Sequence, residues 1–183
     1  MDSTHFYIAL FVHLASLIIG FGAVLVIDTF GLLMLLGKQP LEQVKKVAEV
    51  TQRLIWIGWG GMVVSGLNLI WLKGYVDNLT KIKLFFVLMV GLNGIFLHIL
   101  KKALEKFQNK EDIPRIWMFR MFLASAISQT GWWGAILIGF VHRHIAHNIP
   151  WPNNPYVYMI AITGIFIFTF IIGESLLKPK PAS

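Results

Sequence analysis

Residues 6–36 read FYIALFVHLASLIIGFGAVLVIDTFGLLMLL, an apolar run whose one charged residue is Asp28. A helix needs about 20 consecutive, mostly apolar residues to cross the ~30 Å hydrocarbon core of a bilayer. At ~1.5 Å per residue this run is too long for one straight crossing, so it must tilt or project into the cytoplasm from about Asp28 onward. Four more runs follow, at roughly 54–72, 83–100, 116–141 and 156–177, separated by short polar joints. The sequence therefore predicts an all-α integral membrane bundle of five transmembrane helices, four in the core and one appended, in a single domain over 1–183. Ahead of the second run, Leu41, Val44, Val47, Ala48 and Thr51 recur at helical spacing among charges. They predict an amphipathic lead that lies along the inner surface.

The composition agrees with that reading. Of 183 residues, 56% are hydrophobic and 14% charged, and the mean hydropathy of +0.68 lies outside the range of soluble domains. No fixed repeat or low-complexity tract appears, and no room is left for a separate soluble domain. A net charge of +7 would point to nucleic acid in a soluble protein, but here the basic residues sit between the apolar runs, so no nucleic-acid partner is expected. With no cysteine, disulfides, thiolate metal sites and cysteine nucleophiles are excluded, and any metal must be held by nitrogen, oxygen or methionine. Asp2, Ser3, Thr4 and His5 form no basic leader and no cleavage site, so the first helix is expected to stay in the mature protein.

Orientation follows from the bases. Lys38, Lys45, Lys46, Arg53, Lys101, Lys102, Lys106, Lys110, Arg115, Arg120, Lys178 and Lys180 fall on one side, against Lys73, Lys81, Lys83 and Arg143 on the other. The richer side is cytoplasmic, which puts the N-terminus outside, the C-terminus inside and the chain in the bacterial inner membrane as a multi-pass protein. Trp71, Tyr75, Trp151, Tyr156 and Tyr158 then cluster at the outer ends of the helices as an aromatic belt.

A polar group in hydrocarbon needs a partner, so the intramembrane polar residues are the first candidates for function. His13 is expected about two turns into the first helix, roughly 10 Å below its outer end. Asn68 follows near Ser65 in the second helix, and Asn93 near the middle of the third. Ser125, Ser128, Gln129 and Trp132 fall at i, i+3, i+4 and i+7 on the fourth, one face that should point into the bundle. Two readings stand for these groups. They either glue the helices together beside the small residues Gly20, Gly58, Gly61, Ser65 and Gly91, or they line a site.

Histidine placement is lopsided. His5, His13, His142, His144 and His147 belong to the outer half and only His98 to the inner end. Imidazole is the commonest metal ligand, so His5, His142, His144 and His147 are candidate ligands of a divalent metal. The spacing matches no strict zinc pattern, and an interfacial connector ahead of Pro150, Trp151 and Pro152 is the competing reading. Haem b is the other candidate cofactor. One or two imidazoles ligate its iron, here His13 with His142 as a second, and Lys81, Lys83 and Arg143 pair with the propionates. Snorkelling to the interface is the plain alternative for those bases.

His13 through Gly20 and Gly22, then Val64, Ser65, Gly66 and Leu67, then Lys83 at the start of the third run resemble a group of small bacterial membrane proteins. That group includes the HemJ-type protoporphyrinogen oxidases and the CopD-type copper-resistance domains. The resemblance covers roughly the first four helices and implies functional roles for His13 and Lys83. Where the group tends to carry a further histidine on the third helix this chain has Asn93, and the fifth helix and the His142 to His147 segment are further departures. The expected function is a haem or metal site toward the outer leaflet with a redox or metal-handling role, its partners being the bilayer and a haem, porphyrin or metal ion. A metal-ion or small-solute transporter and a structural subunit of a membrane complex are the alternatives. Whether the chain is an enzyme and whether it oligomerises stay open: it holds no glycine-rich nucleotide loop, paired-carboxylate site or nucleophile with its base.

Overall fold

A computed structural model describes residues 3–144 and 154–177, with the side chains of Ser3, His142 and Arg143 left aside. Its elements are α1 (Ser3–Leu35), α2 (Leu41–Lys73), α3 (Asn78–Leu104), a 3₁₀ turn at Lys110–Asp112, α4 (Arg115–His144) and α5 (Tyr156–Leu177). No strand occurs among the described residues. All five helices are long and apolar enough to cross a membrane, and the protein is a multi-pass membrane protein. Ile18, Val64 and Ile160 are each more than 70% exposed, the inverse of a soluble fold and the arrangement expected where the surrounding solvent is lipid. The chain falls into two compact units, 1–81 and 82–183.

In the first unit, α1 and α2 pack along their length. Ala9, His13, Ser16, Gly20, Ala23 and Val24 are buried, at offsets that follow one stripe of α1. From α2 the buried residues are Leu41, Thr51, Gly58, Met62 and Ser65. Gly58 lies against the backbone of Gly20 and Ser16, and Gly61 against the side chain of Ser16. The small residues thus bring the two backbones together.

The joints are built from glycine geometry. Gly37 (φ 72°) ends α1, with its N–H donating to Met34 O and Lys38 N–H to Leu33 O, a left-handed stop that a residue with a Cβ adopts only at a cost. Gly74 (φ 79°) ends α2 in the same way, its N–H donating to Ile70 O. Asp77 then pairs with Lys73 at 2.7 Å and accepts from the N–H of Thr80 at 2.8 Å, capping α3. The amphipathic lead over 41–53 and the second span are one helix, so the structure has no break at which the lead would part from the span.

In the second unit, α3 and α4 run antiparallel. Asn93 lies beside Ala124, Val90 beside Gly131 and Phe86 beside Gly134. Ile82, Phe86 and Ala135 form a core to which Met159 and Ile162 of α5 add. Leu123, Ala124, Ser128, Gly131, Trp132 and Ala135 are the buried positions among the described residues of α4, and Trp132 is wholly enclosed. Toward its end α5 presses Gly173 against the Phe119 ring.

Candidate functional site

His13 is ten residues below Ser3, ~15 Å by the helical rise and deeper than expected because α1 begins earlier. Its ring is buried in the first unit, with Nδ1 3.0 Å from Ser65 Oγ. The Ser65 hydroxyl donates its one proton to Gly61 O at 2.6 Å, so toward His13 it can only accept. In the tautomer with Nδ1 protonated the ring donates to Ser65 Oγ and the lone pair sits on Nε2. The contact with Ser65 sets the ring direction, as the outer partners of a metal-ligating histidine do. Gly66 flanks the ring: a Cβ there would lie 3.4 Å from His13 Cε1. Sequence reasoning named His13 and Ser65 separately; their partnership spans 52 residues and no local pattern encodes it.

Asn68, also in the first unit, is half-buried, and its Oδ1 is enclosed with no hydrogen-bond partner among the described residues. Lys81 is half-buried in the first turn of α3.

The second unit holds the rest of the predicted polar interior. Lys83 is half-buried, its Nζ reaching toward α4, 3.7 Å from where a Cβ on Gly139 would sit. Asn93 is 5% exposed; its Nδ2 donates to Ala124 O at 2.8 Å, while Oδ1 is enclosed without a partner among the described residues. Ser128 and Trp132 are buried as the i, i+4 pattern requires, whereas Ser125 and Gln129 are half-buried, because the face is centred on Ala124, Ser128 and Gly131.

Two of the four candidate metal-ligating histidines have described side chains, one in each unit. His5 is exposed in the first turn of α1 and His144 is exposed at the end of α4, its ring 4.9 Å from that of Phe140. The side chains of His142 and Arg143, and all of His147, lie outside the described residues. No group of three His, Cys, Asp or Glu suited to a metal occurs among those described.

Sequence reasoning missed one pair. Arg120 donates from Nε to Glu174 Oε1 at 2.6 Å and from a terminal nitrogen to Oε2 at 2.9 Å, joining α4 to α5 through a bidentate fork. Glu174 is buried, and the guanidinium also lies 4.9 Å from the Trp117 ring centroid. Arg120, one of the bases counted for orientation, also pairs with a carboxylate. The clue is present in the sequence: it is the one charged residue of 116–141, and Glu174 is the one charged residue of 156–177.

No family model, curated protein or solved structure matches this chain.

Proposed function

We propose that this is a bacterial inner-membrane protein that binds haem b through Nε2 of His13 and serves a redox role, as its resemblance to the HemJ-type oxidases implies. The observation that carries this is the hydrogen-bond chain from His13 Nδ1 through Ser65 Oγ to Gly61 O. It orients the ring of a buried imidazole, as the outer partner of a metal-ligating histidine does. When bound, the haem would supply one-electron chemistry; His13 holds it, and Ser65 and Gly61 hold His13.

The test is a spectrum of the protein purified from haem-replete cells. A Soret band that His13→Ala abolishes, and that Ser65→Ala weakens or shifts, supports the reading. Lys83→Ala, run alongside, asks whether the other residue marked by the resemblance contributes. A wild-type protein that shows no Soret band and takes up no added haemin removes the proposal.

A further inference from the structure

Gly58 lies against Gly20 and Ser65 against His13, so α1 and α2 share one antiparallel register, each step along α1 matching one step back along α2. In that register Leu25, Thr29, Leu32 and Leu36 stand level with Arg53, Glu49, Lys46 and Glu42. The helices stay together to the turn, where Met34 and Leu41 are both buried.

At these levels the two outer surfaces differ in kind. Phe11, Ile18, Leu25, Leu32 and Leu36 form one exposed stripe of α1, and the hydroxyl of Thr29, on the same stripe, donates back to Leu25 O at 2.7 Å. On α2 the exposed stripe is Glu42 paired with Lys46 at 2.7 Å and Glu49 paired with Arg53 at 2.8 Å. Helical periodicity sets each stripe on the side away from the other helix, opposite the buried positions Ser16, Gly20 and Ala23 of α1 and Thr51, Gly58 and Met62 of α2. The stretch of α1 over 25–36, ~18 Å by the helical rise, therefore gives the end of the hairpin a leucine face on one side, with ion pairs on the other. The apolar positions of 41–53 supply no membrane face of their own, since Leu41 and Thr51 are buried and Val44, Val47 and Ala48 half-buried.

An upright hairpin leaves one face in the wrong solvent. Raised into water it exposes the leucines, and sunk into the bilayer it carries four charged side chains into hydrocarbon, which is costly. The leucine stripe runs on from Phe11 and Ile18 in the spanning part of α1, a helix with no break, so the lipid that covers them in the span continues along it. A span too long for the bilayer accommodates by tilting. We infer that the Gly37 end of the hairpin leans against the membrane as a two-helix amphipathic blade, its α1 stripe among the acyl chains of that leaflet and its α2 ion pairs in water. An interfacial helix carries both faces itself; here each helix supplies one. The surface lies wholly in the first unit and stands independently of any haem at His13.

The chain has no cysteine, so a nitroxide can be placed singly through Leu32→Cys, Leu36→Cys, Lys46→Cys and Glu49→Cys in the full chain, reconstituted in phosphatidylcholine vesicles. Collision with oxygen, which concentrates in the acyl region, is compared with collision with a water-soluble nickel chelate, and Ile18→Cys gives the acyl reference. Labels at Leu32 and Leu36 should favour oxygen and lie about 5–10 Å below the phosphates, the depth of an interfacial helix's apolar face. Those at Lys46 and Glu49 should favour the chelate. Chelate-favoured labels at Leu32 and Leu36 mean a hairpin that projects into water, and labels shielded from both reagents mean that protein, such as a second copy, covers the stripe; either result overturns the inference. So do labels at Lys46 and Glu49 that favour oxygen. Circular dichroism checks each variant, and should one position fail to fold, the other label on the same stripe decides it.

Discussion

Replacing Gly58 by alanine tests whether the α1–α2 contact holds the imidazole in place. The added Cβ would fall 2.5 Å from both Cα and N of Gly20 and 2.7 Å from Ser16 O. All three are backbone atoms, so no rotamer change relieves them. Ordinary contact begins at 3.4 Å, so the helices must part by 3.4 − 2.5, about 0.9 Å, at that level. His13 and Ser65 sit seven residues along from Gly20 and Gly58, ~10 Å away by the helical rise. A rigid parting carried that far stretches their 3.0 Å bond to about 3.9 Å, beyond hydrogen-bond range. Overpacking costs about 1–3 kcal/mol and the lost bond about 1 kcal/mol. Together they amount to about 2–4 kcal/mol, roughly 30- to 1,000-fold in the unfolding equilibrium. Equilibrium unfolding in bicelles reads this directly, with Gly60→Ala as control, because nothing lies within 4 Å of a Cβ at Gly60. If the two variants unfold within about 0.5 kcal/mol of each other, within ordinary additivity error, the close approach is not what holds these helices.

Glu174→Gln should destabilise the protein by about 3 kcal/mol, the low end for breaking a buried pair since Arg120 keeps 25% of its side chain exposed; the exchange Arg120→Glu with Glu174→Arg should recover part of the loss in the same unfolding assay. Gly173→Ala drives a methyl into the Phe119 ring and should cost about 1–3 kcal/mol, and adding Phe119→Leu to it should relieve the cost. Because the chain has no cysteine, single cysteines report topology without background: Gln39→Cys should label with an impermeant maleimide only when the cytoplasmic face is open, and Val76→Cys from the opposite face. Labelling of both from one side would overturn the orientation drawn from the basic residues.

The helices were legible because lipid demands long apolar runs, and the structure extends each expected span or leaves it unchanged. Its ends moved where polar residues join a helix: Leu41 to Arg53 continue into the second span, since intrahelical hydrogen bonds do not stop at a change in polarity. The packing role of Gly20, Gly58 and Gly61 was also legible, small residues in a membrane helix having few other uses. Less was legible at the site. His13 stands out as a lone imidazole in an apolar run, but its ring direction depends on Ser65, a contact set by the α1–α2 register. The pairing of Arg120 was not legible because a base near a span end satisfies the topology rule equally well whether it faces headgroups or a carboxylate 54 residues away.

The Arg120–Glu174 fork also bears on biogenesis. Synthesis runs from N- to C-terminus, so α4 leaves the ribosome before α5 and the guanidinium precedes its carboxylate. A charge placed deep in a membrane helix costs about 2.5–3.5 kcal/mol on insertion scales, but Glu174 comes only three residues before the end of α5 and finds its counter-ion already delivered. Grafted onto an unrelated membrane protein, the same segment would carry an orphan acid, so α5 is a helix whose passage into the bilayer is written partly in its predecessor.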